Sequence, residues 1–281
     1  MGSRVKPETL QVMKQQGEPI AMLTCYDYPM AVFQDAAGVD VIFVGDSVGV
    51  NVLGYESPQQ VTMDDMLHHT RVVRRGVVAA VLMADLPYHS YETPQKAVEN
   101  AQRLVDVGAE IVKLEGGNNV ASQVGALVEA GIPVVGHVGY TPQTRTGERP
   151  LFGDRAAEAL EVLEDAMSLE EAGALAVVLE CVPERVAEVV TQHLEIPTIG
   201  IGAGRVCDGQ VLVVHDMLGV HESAFRFVKE YANLDTIMRK AFATYVSDVK
   251  DHLFPEDGHR FKIKGAELRK FKALAFSAED A

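Results

Sequence analysis

Acidic side chains stand directly after three successive apolar runs of the sequence. Asp46, Asp85 and Glu115 each occupy such a position. Carboxylate oxygens are hard ligands, which favours Mg²⁺ or a similar divalent cation over zinc. Burying several acids side by side is costly unless a cation or a proton compensates their charge. We therefore predict a metal site at these acids, while any single one of them has the alternative role of capping the helix that follows it.

A lysine shares a strand with one of these acids. Lys113 and Glu115 are two residues apart, and the alternation of side chains along a strand puts both on the same face. A lysine in that position can neutralise an anionic substrate or form a Schiff base. The alternative is an internal ion pair with a neighbouring acid.

A histidine and a fourth acid close two later apolar runs. His137 either takes part in the chemistry or is hydrogen-bonded in the core, as a lone histidine on an apolar strand commonly is. Glu180 follows residues 177–179 and is half desolvated, so its pKa is expected to rise, as a general base near neutral pH requires. We predict that Glu180 is the catalytic base. Cys181 is interpreted as a small packed side chain, because no basic residue is adjacent to activate it.

Eight β-rich apolar runs must position these groups, and several of them follow a glycine that ends a helix-like segment. The runs barely alternate, which is typical of strands buried on both faces of a parallel sheet. Their order predicts an α/β fold, a single (β/α)8 TIM barrel with its functional groups at the C-terminal ends of the strands. A doubly wound open sheet is the competing fold. The runs are residues 21–24, 39–44, 77–83, 109–114, 132–135, 174–179, 198–201 and 211–214.

The whole chain, residues 1–281, is expected to form one domain. A short N-terminal helix closes the bottom of the barrel, and a C-terminal helical extension follows it. Helix starts are marked by Thr93, which precedes a proline, and by Thr62 with Asp65 at the spacing of a capping box. The expected ranges are 7–16 for the N-terminal helix, about 20–220 for the barrel, 223–232 and 234–252 for C-terminal helices, and about 221–281 for the C-terminal helices with the tail.

Composition excludes several classes of protein. The 281 residues include 25 basic and 40 acidic side chains, a formal charge of −15, which argues against nucleic acid and anionic membranes as partners. No apolar stretch approaches the roughly 18 residues of a membrane span. Three cysteines without paired spacing argue against a disulfide framework and suggest a reducing compartment. We expect a cytoplasmic protein with a large core.

A glycine-rich loop follows the seventh run. It reads Gly200-Ile201-Gly202-Ala203-Gly204, and barrels often bind phosphate near strands seven and eight. The loop is not a dinucleotide fingerprint, because Arg205 stands where the third glycine would be. Two interpretations stay open: a phosphate cradle and a close approach of backbone.

Seven separate motifs occur in one order, and through them the chain resembles the ketopantoate hydroxymethyltransferase family over roughly residues 4–260. The motifs are Asp27-Tyr28, Val44-Gly45-Asp46-Ser47, Ala84-Asp85-Leu86-Pro87, Val112-Lys113-Leu114-Glu115-Gly116-Gly117, Gly136-His137-Val138-Gly139 with Thr141-Pro142-Gln143, Leu179-Glu180, and Gly200-Ile201-Gly202-Ala203-Gly204 with Cys207-Asp208-Gly209-Gln210.

The resemblance implies a barrel of the pyruvate kinase-like superfamily that assembles as a homo-oligomer, typically a decamer, and serves pantothenate and coenzyme A biosynthesis. It implies Mg²⁺ surrounded by Asp46, Asp85 and Glu115, with Glu180 as the proton acceptor. We count His137, which shares the same rim, among the substrate-binding residues. The expected contacts of the 2-oxo acid are therefore Asp46, Ser47, Asp85, Lys113 and His137.

The implied reaction transfers a hydroxymethyl group to 2-oxoisovalerate (3-methyl-2-oxobutanoate) from the co-substrate 5,10-methylenetetrahydrofolate. It proceeds through a Mg²⁺-stabilised enolate and yields ketopantoate and tetrahydrofolate. The partners are thus two small molecules, the oxo acid and the folate. Three alternatives stay open: an isocitrate lyase-like or phosphoenolpyruvate mutase-like enzyme, a Schiff-base aldolase that uses Lys113, and a barrel with only a binding or assembly role.

Two segments depart from the family's pattern. Residues 144–155 lack its Gly-Gly-aromatic stretch and its Lys-x-Gln-Gly-Arg pattern, which leaves lid closure or folate contact at this loop open. The tail beyond about residue 262 is locally basic, which suits either a solvated helix or docking onto an acidic neighbouring subunit. Its basic residues are Lys262, Lys264, Arg269, Lys270 and Lys272.

Overall fold

Eight parallel strands close into a barrel in chain order, and the last strand pairs with the first. The structure is a computed structural model and describes residues 4–145, 151–221 and 225–276. The predicted (β/α)8 TIM barrel is confirmed. The strands are β1 (Ile20–Thr24), β2 (Val41–Val44), β3 (Val81–Asp85), β4 (Ile111–Lys113), β5 (Val134–Gly139), β6 (Ala176–Glu180), β7 (Thr198–Ile201) and β8 (Gly209–Leu212).

A helix follows every strand except β7, which is joined to β8 by a loop. Thr93 accepts a hydrogen bond from the backbone N–H of Lys96, and Thr62 and Asp65 form the reciprocal capping box that their spacing predicts. The helices are α1 (Thr9–Gln16), α2 (Tyr28–Ala37), α3 (Met63–Arg74), α4 (Pro94–Asp106), α5 (Ala121–Glu129), α6 (Ala156–Glu171), α7 (Glu184–His193), α8 (Val214–Met217), α9 (Leu234–Lys250) and α10 (Gly265–Phe276).

The core has two layers, because most strands bury both of their faces: β2 to β5 are buried at every position, whereas β1 and β8 each leave one residue exposed, Ala21 and Gln210. On β2, Val41 and Phe43 pack inside the barrel, while Ile42 and Val44 pack outward against the helices. A strand that is buried on both faces is apolar at nearly every position, which explains the continuous apolar runs in the sequence. Below the barrel, Leu10 of α1 joins the interior layer, as expected of a helix that closes the bottom.

The C-terminal residues form a unit of their own. Contacts divide the chain into Met1–Ala232 and Asn233–Ala281, and the second unit contains α9 and α10. The assignment of one domain to residues 1–281 stays a prediction. The helix predicted near residues 223–232 is wrong for the described part, since residues 225–232 form turns and loops. Phe225 and Phe227 of this segment instead line a cavity at the mouth of the barrel.

Within the described residues, no helix combines the length and the apolar character that a membrane crossing requires.

Candidate active site

A cavity of about 450 Å³ opens at the C-terminal ends of the strands. All the site residues predicted from the sequence line it, although they come from five different strand ends. The barrel therefore brings together groups that are more than a hundred residues apart in the chain. These residues are Asp46, Ser47, Asp85, Lys113, Glu115, His137 and Glu180.

Lys113 is paired with an acid at the base of this cavity. Its Nζ lies 2.6 Å from Asp85 Oδ1, and both side chains are buried. The parallel register of β3 and β4 aligns these two residues directly. The other oxygen of Asp85, Oδ2, accepts a hydrogen bond of 2.9 Å from the backbone N–H of Asp46. The ion pair left open by the sequence is therefore present, and Lys113 still lines the cavity.

The charges at this point are not balanced. Burial, together with the neighbouring charges of Asp85 and Glu115, raises the pKa of Asp46 well above its ordinary value. Burial also raises the pKa of Asp85, against the opposing effect of Lys113. For Lys113 the effect of burial is outweighed by the surrounding carboxylates, which raise its pKa. A Schiff-base lysine needs the opposite shift, so the aldolase alternative has no support here.

His137 stands between two carboxylates. Its Nδ1 lies 3.3 Å from Glu115 Oε1, and its Nε2 lies 3.1 Å from Glu180 Oε2. Its N–H groups are poorly aligned with these oxygens, so the contacts are charge pairs more than directed hydrogen bonds. Burial alone would lower the pKa of His137, but the charge of Glu115 outweighs it and raises the pKa to about 9. The neighbouring glutamates thus favour the protonated form of the imidazole.

Glu180 is the member of this group that reaches the open part of the cavity. Its side chain is 15% exposed, against 3% for His137. The chain turns sharply after it, since Cys181 has a φ of 52°, in the left-handed region that a non-glycine residue rarely adopts. Burial raises the pKa of the Cys181 thiol to about 12, which agrees with a packed side chain instead of a nucleophile.

Gln143 is a member of the site that sequence reasoning did not assign. It is fully buried, and its Nε2 donates a hydrogen bond of 2.8 Å to Asp46 Oδ2. Its backbone N–H donates to Glu115 Oε2 at 2.9 Å, and its Oε1 accepts a short hydrogen bond from the Tyr91 hydroxyl. One residue therefore orients two of the predicted metal ligands. The only signal in the sequence was its place in the motif Thr141-Pro142-Gln143.

Ser47 is held by a second tyrosine. Its hydroxyl lies 2.8 Å from the Tyr26 hydroxyl, and its carbonyl accepts a hydrogen bond from Asn51 Nδ2. Asn51 belongs to a π-helical turn, Gly49–Leu53, that follows β2. Such turns are frequent at functional sites because they widen the helix locally and redirect side chains.

The divergent loop is described only at its two ends. Residues 146–150 lie outside the described part of the chain. On either side of them, Arg145 contacts Glu161 at 2.8 Å and lies over the ring of Phe152 at 3.7 Å from its centroid.

A comparison with protein families decides the affiliation of this barrel. The family model described as ketopantoate hydroxymethyltransferase matches residues 4–257. The chain belongs to the ketopantoate hydroxymethyltransferase family. The resemblance carried by the seven motifs is thereby confirmed, and membership makes the chain an enzyme, a transferase.

Relatives in this family match nearly the whole chain. A 3-methyl-2-oxobutanoate hydroxymethyltransferase of Syntrophus aciditrophicus is 51% identical over 265 residues, which cover 92% of this chain and 97% of that protein. A protein of the same name from Chloroflexus aurantiacus is 47% identical over 281 residues, which cover 99% and 98% of the two chains.

Solved structures share the fold at much lower identity. A phosphonopyruvate hydrolase has a TM-score of 0.64 at 12% identity and covers 96% of this chain and 97% of its own. A 2,3-dimethylmalate lyase of the phosphoenolpyruvate mutase/isocitrate lyase superfamily has a TM-score of 0.58 at 14% identity, with coverage of 99% and 100%. These likenesses concern the fold alone, so they support the lyase or mutase alternative no further than shared architecture.

Proposed function

We propose that this enzyme transfers a hydroxymethyl group from 5,10-methylenetetrahydrofolate to 3-methyl-2-oxobutanoate, giving ketopantoate and tetrahydrofolate. The names of the relatives support the oxo acid as substrate. The observation that carries the proposal is the single cavity in which Glu180 faces the buried group of Asp46, Asp85 and Lys113. An anion-binding lysine and a reachable carboxylate are what proton removal next to a ketone requires.

The residues present fit a divalent cation. When ionised, the carboxyl groups of Asp46, Asp85, Glu115 and Glu180 carry four negative charges, against two positive charges on one lysine and one protonated histidine. The remaining two negative charges equal the charge of one divalent cation in magnitude. The raised pKa of both Asp46 and Asp85 agrees with this uncompensated charge. Among the described residues, no three acidic, histidine or cysteine side chains are arranged to hold a metal by themselves. Mg²⁺ commonly binds through one or two carboxylates and keeps several waters, so the arrangement suits it.

In this proposal Asp46 and Asp85 would hold Mg²⁺, with Glu115 beside them. A cation bound there supplies polarisation of the ketone oxygen of the substrate. A phosphonopyruvate hydrolase of the same fold was solved as a complex with oxalate and Mg²⁺, which supports the assignment by analogy of fold.

The remaining steps belong to the chain's own side chains. Lys113 and the Ser47 hydroxyl bind the substrate carboxylate, and burial strengthens this charge pairing. Glu180 accepts the proton from C3. His137 keeps Glu180 in position through its contact at Oε2 and offsets the charge of both glutamates. The carbon nucleophile that results forms a bond to the one-carbon unit of the folate. One water molecule supplies the hydroxyl oxygen, and the bonds between that carbon and the folate nitrogens break, which releases tetrahydrofolate.

Turnover of 3-methyl-2-oxobutanoate with 5,10-methylenetetrahydrofolate, measured with Mg²⁺ and after its removal by a chelator, tests the proposal. We expect ketopantoate only when both the folate and the cation are present. Cleavage of a 2-alkylmalate or of phosphonopyruvate without folate would favour the lyase or mutase alternative instead. Lack of turnover with any of these would leave only a binding role for the barrel.

Asp46→Ala is expected to abolish Mg²⁺-dependent binding of the oxo acid while the fold stays intact, because two hard ligands are needed to hold one hydrated cation. Calorimetric titration of the oxo acid with and without Mg²⁺ measures this. Asp106→Ala is the control, since this carboxylate at the end of α4 is exposed. Unchanged affinity of Asp46→Ala at saturating Mg²⁺ would contradict the metal assignment.

Gln143→Leu is expected to weaken Mg²⁺ binding by about 10–100-fold, the usual effect of losing a partner that orients a metal ligand. The substitution removes the donor to Asp46 but keeps the backbone N–H that Glu115 uses. Gln59→Leu is a matched control, because Gln59 Nε2 donates only to the carbonyl of Gln143 among its hydrogen bonds in the described residues. Calorimetry with Mg²⁺ alone measures both variants. Equal cation affinity in Gln143→Leu and wild type would reduce Gln143 to a packing role.

We further propose that the enzyme works in the cytoplasm as a homo-oligomer, a decamer as the family resemblance suggests. Large apolar side chains on α9 that are exposed in the single chain support self-association. They are Ile237, Phe242, Val246 and Val249. Multi-angle light scattering gives the number of chains per particle directly.

A further inference from the structure

The cavity is larger than a small oxo acid needs. One part of its lining contains the charged residues of the predicted site, and another part is mostly apolar. The ends of β2 to β6 supply these charged residues, and Phe43, Pro142 and Val178 line the cavity beside them. The apolar half comes from β7, β8 and the segment after β8. A volume of about 450 Å³ lies in the range of roughly 300–1,000 Å³ that cofactor-sized ligands fill. The apolar half therefore offers room for a second molecule next to the oxo acid.

Two phenylalanines form the wall of this half. The rings of Phe225 and Phe227 are nearly parallel, with centroids 5.1 Å apart and an angle of 28° between their planes. Phe227 lies directly on Gly202, where a Cβ would come within 2.6 Å of the ring. This supports the second interpretation of the glycine-rich loop, a close approach of backbone. Because Gly202 has no side chain, the ring of Phe227 can pack directly against its backbone.

A carboxylate stands at the edge of the same wall. Asp216 is only 9% exposed and lines the cavity. Its Oδ1 lies 3.4 Å from His221 Nε2, and His221 also lines the cavity. A nearly buried carboxylate beside flat apolar rings can accept two parallel hydrogen bonds from adjacent N–H groups of a planar ligand.

We propose that this half of the cavity binds the pterin head of the folate co-substrate, with Phe225 and Phe227 against its ring face and Asp216 accepting from its ring N–H and exocyclic amino group. The inference rests on the proposed function, which supplies the folate. A pterin is a flat heteroaromatic ring whose edge carries these two donors side by side. Its polarised face favours an offset arrangement on an aromatic side chain.

The position of the base agrees with this arrangement. Glu180 pairs in register with Ile201 of β7, so it stands at the border between the charged and the apolar halves. An oxo acid held by Lys113 would present its C3 to that border. The one-carbon unit carried by the pterin then approaches from the other side, as carbon–carbon bond formation requires.

A second cavity of about 340 Å³ is the rival location, and it is the weaker one. Its described lining includes Asn118, Arg145, Glu161 and Asp165 but no aromatic side chain. Asp165 Oδ1 already accepts a hydrogen bond from the backbone N–H of Asn118, and Glu161 is paired with Arg145. The described lining of this cavity therefore offers no aromatic face on which a pterin ring could lie.

Three variants distinguish these locations: Asp216→Asn and Phe227→Leu in the proposed subsite, and Asp165→Asn in the rival cavity. Tetrahydrofolate and 6-methyltetrahydropterin, which lacks the glutamate tail, are the probes, and calorimetry gives the dissociation constants. We expect Asp216→Asn to weaken both probes alike by about 10–100-fold, as loss of a charge-assisted pair does. Phe227→Leu should weaken them by about 3–10-fold through lost ring contact. Asp165→Asn should change neither by more than about twofold.

Steady-state kinetics gives the second readout. In Asp216→Asn the KM for 5,10-methylenetetrahydrofolate should rise by at least tenfold, while the KM for the oxo acid changes by less than about twofold. A general loss of structure would change both constants, and circular dichroism checks the fold. If Asp216→Asn does not fold, Phe227→Leu alone decides.

The outcomes separate the subsite from the function. Unchanged probe affinities in both subsite variants, or a loss confined to Asp165→Asn, would overturn the pterin assignment. A loss seen with tetrahydrofolate but not with 6-methyltetrahydropterin would overturn it too, because Asp216 would then contact the tail. Failure of the wild-type enzyme to make ketopantoate from the oxo acid and the folate would instead refute the proposed function.

Discussion

Glu180→Gln is expected to slow the exchange of the C3 proton of 3-methyl-2-oxobutanoate by about 10²–10⁴-fold, the usual contribution of a positioned base. Glutamine keeps the shape and polarity of the side chain but cannot accept the proton. Proton removal precedes attack on the one-carbon carrier, so the wild-type enzyme with Mg²⁺ should exchange this proton for deuterium without any folate. NMR in heavy water follows the exchange, and substrate affinity should change little because Lys113 holds the anion.

His137→Asn is the matched comparison, since His137 contacts Glu180 at 3.1 Å and is the alternative base. Geometry favours Glu180, because its side chain is 15% exposed in the cavity whereas that of His137 is 3% exposed. We expect His137→Asn to reduce exchange less than Glu180→Gln does. Near wild-type exchange in Glu180→Gln, together with lost exchange in His137→Asn, would reverse the two roles.

Lys113→Met is expected to lower the free energy of unfolding by about 3–5 kcal/mol, because it leaves the buried carboxylate of Asp85 without its partner. Urea unfolding at one fixed protein concentration measures the loss. The KM for the oxo acid should rise more than the KM for the folate, since the lysine charge pairs with the smaller substrate. A wild-type adduct trapped by borohydride would instead mean a covalent role for Lys113.

Lys96→Met is the control for burial. Lys96 pairs with Glu92 at 2.7 Å, nearly the same distance as the 2.6 Å between Lys113 and Asp85. The Lys96 pair is about half exposed, so water and salt screen it, and its loss should lower the free energy of unfolding far less than the loss of the Lys113 pair. Similar losses in both variants would contradict the argument that burial decides. The double variant Lys113→Met/Asp85→Asn should be less unstable than the two single losses combined.

The barrel itself was predictable because most of its strands, β2 to β5 above all, are buried on both faces. A strand covered on both sides must be apolar at nearly every position, so each strand appears in the sequence as an uninterrupted run. The predicted runs at residues 198–201 and 21–24 match β7 and β1 within one residue. The polar residues that close the runs, such as Asp85 and Glu180, were equally visible, because a charged side chain directly after an apolar strand stands at the rim.

The segment after β8 was predicted less well. Apolar residues near 223–232 indicated a helix, but in residues 225–232 the chain forms turns. Phe225 and Phe227 line the cavity, and this contact does not depend on helical spacing. Local propensity is a weak signal where a long-range contact supplies the stabilisation.

By itself, the sequence determined the class of fold, the family and the charged side chains at the ends of β2 to β6, since periodicity and strand-end chemistry are local properties of the chain. Only the tertiary structure decided their partners. It paired Lys113 with Asp85 through the register of two adjacent strands, and it brought Gln143 to Asp46 across 97 residues. It also placed Phe227 on Gly202. Contacts of this kind depend on closure of the barrel and on the course of its loops, and neither can be inferred from the spacing of residues along one chain.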